Sequence, residues 1–246
     1  MLRQIIISIS ALKVSKDFIS RYRLWEDWRS MRWMHTAFTI FAVYMGIKMF
    51  GLIGSFISGL GQIASGEPLK LGFSGNIFRG DFSFLQSDSY KYVFLFFTMS
   101  LIYHFGGRAL EILYGVPYNP TFKSFITAQK RTLIALILGY IIEQVATGLA
   151  SGVLSIVGVK WLSGVAGFLI NSFIFGAIII DGLHEVRGTD VKAGFKHSYN
   201  YYPGIALTLG AVGLASSYIP FAGVLLEALI TVAILIAIKR TEMVSA

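Results

Sequence analysis

Long apolar runs separated by short polar connectors dominate the chain, and six of them are read as helices that cross or enter a bilayer. They cover 34–65, 92–107, 132–159, 161–180, 204–219 and 221–238. The first has one charge, Lys48, and as a helix reaches about 48 Å at roughly 1.5 Å per residue, beyond a hydrocarbon core of about 30 Å. It must tilt, bend near Gly59 and Gly61, or project. The second continues as a helix-compatible stretch through Arg108 and Glu111, an i,i+3 pair, until Pro117 and Pro120 stop it. The third and fourth, parted by little more than Lys160, form an antiparallel hairpin. The fifth and sixth are parted by Pro220 alone, and the fifth, about 24 Å long, falls short of a full crossing. A partly penetrating hairpin follows, with Ile219 and Pro220 at its tip and Gly223 leaving room for a close approach one turn on. The pattern predicts an all-α integral membrane protein with one membrane domain over 1–246.

Ahead of the first run, residues 1–33 read as an interfacial segment. Its apolar stretch from Ile5 to Leu12 is followed by Lys13, Lys16 and Asp17 with no small-residue cleavage site. A weakly amphipathic helix with Ile5, Ile9, Leu12 and Ile19 on one side is expected there.

Composition sharpens the class. Hydrophobic residues make up 55% of the 246 and charged ones 14%, with mean hydropathy +0.67, whereas globular domains carry about 25% charged residues. The net charge of +8 follows topology: sixteen Lys and Arg fall on one side of the proposed spans and four (Lys70, Arg79, Lys91, Lys160) on the other. That bias places both termini in the cytoplasm. It also removes the case for a nucleic-acid partner, since the basic residues gather on no single surface. With no cysteine and four histidines far apart, no metal centre is expected. Gly59, Gly61 and Gly66 follow no strand, and no other catalytic motif occurs, so neither an enzyme nor a cofactor is expected.

Charged groups in lipid are costly, which singles out Lys48, Glu143 and Glu227. They either line a polar path for ions or protons, or serve as hydrogen-bonded packing devices, with Lys48 snorkelling or pairing with a neighbour. Asp181 ends the fourth run as an interfacial carboxylate. Arg21, Arg23, Arg29 and Arg32 sit among Tyr22, Trp25, Trp28 and Trp33, either anchoring acidic headgroups or holding a tetrahedral oxyanion. Small residues at Gly51, Ser55 and Gly59, and at Gly148 and Gly152, have the spacing of close helix contacts.

Three stretches in order resemble the CysZ-like or etoposide-induced-protein family: Ser172-Phe173-Ile174-Phe175-Gly176 leading to Ile180-Asp181, the basic linker Arg187 to Tyr202, and Tyr218-Ile219-Pro220-Phe221-Ala222-Gly223. The resemblance begins at Tyr22-Arg23-Leu24-Trp25. It implies two long spanning helices, two tight hairpins that enter part way, and a homo-oligomer. For bacterial members it implies a sulfate permease of the cytoplasmic membrane, while eukaryotic relatives belong to the endoplasmic reticulum. The chain departs from the family's Gly-Leu-Arg stretch, having Arg23 and Leu24 in reversed order without the glycine, and from the proline that often follows the last tip, around Glu227.

Overall fold

Every regular element among the described residues is helical. The computed structural model describes residues 1–26, 36, 90–184, 190–219 and 222–245; the run 34–65 apart from Thr36, with Lys48, the arginines Arg29 and Arg32, and Pro220 lie outside them. The helices are α1 (Leu2–Arg21), α2 (Tyr90–Tyr114), α3 (Phe122–Ile156), α4 (Ser163–His184), α5 (Val191–Tyr201), α6 (Pro203–Ser217) and α7 (Ala222–Ser245), with a 3₁₀ turn Lys160–Leu162 between α3 and α4.

Helices α2, α3, α4 and α7 outrun their apolar segments. α3 starts ten residues early because Thr121 caps it: Thr121 Oγ1 accepts from the Ser124 amide at 3.1 Å, and Ser124 Oγ accepts from the Thr121 amide at 3.0 Å. α7 continues through Lys239 and Arg240 to Ser245. Hydropathy marks the part of a helix that avoids water, and caps mark where the helix begins.

α3 and α4 form the expected antiparallel hairpin. Arg131 meets Asp181 at one end, and a side chain at Gly139 would touch Ile174 and Ile178 further along. α6 and α7 pair likewise, with Tyr202 bonded to Glu242 at one end and Ser216 to Glu227 near the tip. The hairpins join where α4 crosses α6. A Cβ on Gly176 would strike the Ala206 carbonyl and lie 2.7 Å from its carbon; one on Gly210 would strike the Ser172 carbonyl and lie 2.7 Å from the Gly176 nitrogen. Only hydrogen fits at either place. α2 runs parallel to α7, with Phe94 beside Gly223, Gly106 beside Thr231, and Tyr114 beside Lys239.

α1 packs on α7 and α6. Its buried positions are Ser8, Ala11 and Ser15, flanked by the partly buried Leu12 and Ile19, while Ile9 is 48% exposed. The expected isoleucine face is thus displaced toward small residues, which let the helix sit close.

The outer part of the α3–α4 hairpin differs from the rest. The buried stripe of α3 (Ala128, Thr132, Ala135, Leu136, Gly139, Glu143) ends at Glu143, and from Gln144 to Asn171 no residue is buried. That stretch carries Leu149, Val153, Trp161, Val165 and Phe168 outward, with Ile156 88% exposed. Gly148 and Gly152, expected at a helix contact, have nothing within 4 Å of where a side chain would begin.

The two classes of glycine give a test. Gly210→Ala is expected to lower stability by about 1–3 kcal/mol through overpacking. Gly148→Ala is expected to leave it unchanged or raise it by about 0.5–1 kcal/mol, as alanine favours helix. Unfolding midpoints of the purified variants decide; equal midpoints would remove the crossing as a constraint.

Candidate functional site

A bundle this apolar must account for each ionisable group inside it. Asp181, in the last turns of α4, is reached by Arg131 from the first third of α3. Arg131 Nη2 donates to Oδ1 at 2.7 Å and Nε to Oδ2 at 3.2 Å, a two-point pair in which the aspartate side chain is 1% exposed. Gly194 of α5 closes the third side: a Cβ there would strike Asp181 Oδ1 and lie 3.0 Å from its Cγ. Asp190 sets α5 at this angle by capping it, its Oδ1 accepting from the Ala193 amide at 2.6 Å. The pair is neutral as a whole and turned toward α5.

Glu227, on the second turn of α7, is fully buried near the α6–α7 tip. The Ser216 hydroxyl lies 2.9 Å from its Oε1 and 2.8 Å from the Gly213 carbonyl, and one hydroxyl hydrogen serves only one of these at a time. Oε2 is buried with no hydrogen-bond partner among the described residues. Gly213 and Gly223 shape the tip: side chains there would crowd Glu227 Oε1 at 3.2 Å and the Ser216 carbonyl carbon at 3.0 Å. The room expected at Gly223 is taken by the end of α6. Ile219 is half exposed and its carbonyl accepts from the Gly223 amide at 2.8 Å.

The other expected residues are scattered. Glu143 is 2% exposed at the end of the α3 stripe. Arg21 is exposed at the end of α1, and Arg23 pairs on the surface with Glu26 at 3.0 Å. Arg23 adopts φ +50°, a left-handed conformation uncommon for arginine, and the reversal drives Leu24 into the core. Arg108 and Glu111 form the expected i,i+3 pair at 2.5 Å.

Sequence reading missed three contributors. His104, buried on α2, has Nε2 2.8 Å from the Leu24 carbonyl and Nδ1 3.2 Å from the Tyr118 hydroxyl. A carbonyl only accepts, so in the neutral ring Nε2 carries the hydrogen and Nδ1 accepts from Tyr118. Glu242 accepts from Tyr114 at 2.9 Å and from Tyr202 at 3.0 Å, tying α2 and α6 to α7. Arg131 is the third. An interior histidine and the acid and arginine beyond the apolar runs gave no local signal of these partners.

No family model, curated protein or solved structure matches this chain.

Removing one member of a buried ion pair strands the other. Asp181→Ala and Arg131→Ala are each expected to cost about 3–5 kcal/mol, with the double variant well short of their sum. A double-mutant cycle on unfolding free energies measures the coupling, and additive losses would contradict the pair.

Proposed function

We propose that the chain is a multi-pass helical membrane protein that passes a small oxyanion such as sulfate. The observation that carries the membrane reading is the outer α3–α4 hairpin. α3 and the following segment Lys160–Leu183 have mean hydropathies of 1.8 and 2.0 over their most apolar 18-residue stretches, yet only 22% and 44% of those stretches is buried in the chain itself. A core helix of a water-soluble protein is mostly covered by its own fold, whereas this hairpin turns its apolar side chains outward. Lipid is the solvent they fit.

Permeation of an anion rests on the resemblance to the CysZ-like family and on the arginine-rich, aromatic N-terminal segment. The tip containing Glu227 supports traffic through the bundle, because a buried carboxyl with one oxygen unmet can exchange a proton or cation as a solute moves. In this reading the protein sits in a bacterial cytoplasmic membrane as a homo-oligomer with both termini inside. One observation favours a non-transporting scaffold instead: Arg23 and Arg131 are each paired with an acid of the same chain.

Purified protein in liposomes is expected to take up radiolabelled sulfate faster than empty liposomes. Absence of uptake by folded, oligomeric protein would favour the scaffold. Orientation is checked separately, since the chain has no cysteine. Lys160→Cys is expected to react with an impermeant maleimide on intact cells and Lys196→Cys only after permeabilisation; the reverse pattern inverts the topology.

A further inference from the structure

A cavity of about 210 Å³ lies where α2, the connector after it, the start of α3 and the end of α4 meet. Met99, Ile102, Leu110 and Leu183 give it an apolar body. Gln129 and Thr132, one turn apart on α3, add an amide and a hydroxyl. Thr132 is only 5% exposed, and neither side chain makes a hydrogen bond among the described residues. No charged side chain lines the space. Arg131 and Asp181, next in sequence to the lining residues Thr132 and Gly182, bond each other beside Gly194 of α5.

The walls are set before anything binds. Tyr118 stacks where a side chain on Gly107 would clash with its ring, and its hydroxyl is held by His104 at 3.2 Å. Tyr103 is held by Ser124 at 2.8 Å. Such preorganisation lowers the ordering cost of binding.

We propose that this cavity binds a small uncharged amphiphile: an apolar body of about one aromatic ring bearing a hydroxyl or carbonyl group that bonds Gln129 and Thr132. Size sets the body, since an apolar cavity of about 150 Å³ takes up benzene and this one has room for a polar substituent besides. A carboxylate or ammonium would be desolvated against Met99 and Leu183 with no countercharge. A pure hydrocarbon would leave the buried Thr132 hydroxyl without a bond. The site is separate from the proposed transport, so sulfate flux and this binding succeed or fail independently.

The probe is benzyl alcohol, dialysed to equilibrium against the protein in lipid nanodiscs, with uptake by empty nanodiscs subtracted. Saturable binding of one equivalent is expected. Thr132→Val, which keeps the shape, is expected to weaken it about three- to tenfold through the lost hydrogen bond. Gly182→Leu projects into the space, where a Cβ meets only Met99 at 3.9 Å, and is expected to abolish it. Benzoate is expected to show no saturable binding. The proposal is overturned by uptake equal to that of empty nanodiscs, by benzoate binding as well as the alcohol, or by unchanged affinity in Thr132→Val. Should Gly182→Leu not fold, that isosteric variant and the benzoate comparison carry the decision.

Discussion

Two missing side chains set the spacing of the bundle. Where α4 crosses α6, Gly176 faces the Ala206 carbonyl and Gly210 faces the Ser172 carbonyl, so the two backbones touch without intervening side chains. Such close contact lets the two helices gain dispersion energy along the backbone itself. The crossing holds the α3–α4 hairpin to the α6–α7 hairpin. It also fixes the height of both buried acids, since Asp181 stands five residues beyond Gly176, and Ser216, the neighbour of Glu227, stands six beyond Gly210.

The two buried acids are treated differently by this frame. Asp181 receives a guanidinium at two points and a glycine backbone on its open side, so its charge is cancelled in place. Glu227 receives a serine hydroxyl shared with a carbonyl, and its second oxygen has no partner among the described residues. A pair of the first kind specifies how α3, α4 and α5 meet. A group of the second kind specifies less about how its helices meet.

Much of the helical layout was legible in the apolar runs. Hydrophobic length placed both hairpins, and Pro220 with Gly223 marked the second tip. Boundaries were less legible, because Thr121 starts α3 among polar residues and α7 runs on through two cations. The positions of Asp181 and Glu227 were visible as charges out of place, but Arg131, the partner of Asp181, stood in a connector whose charge served only as a sign of sidedness. Contacts at long separation, such as Leu24 with His104 and Tyr202 with Glu242, leave no periodic trace. The glycines show the same limit. Gly148 and Gly152 have the spacing of a contact and make none among the described residues, whereas Gly176 and Gly210, far apart in sequence, bring two helix backbones together.

From Gln144 to Asn171 no residue of the α3–α4 hairpin is buried among the described residues, so its outward side chains are constrained less by complementary shape than those of the inner bundle. Leucine, valine, isoleucine and phenylalanine should substitute for one another there with little effect on the fold. Selection on such a segment preserves oiliness and lets identity drift. The inner bundle, where a single methyl group is too much at either glycine of the α4–α6 crossing, has the opposite freedom.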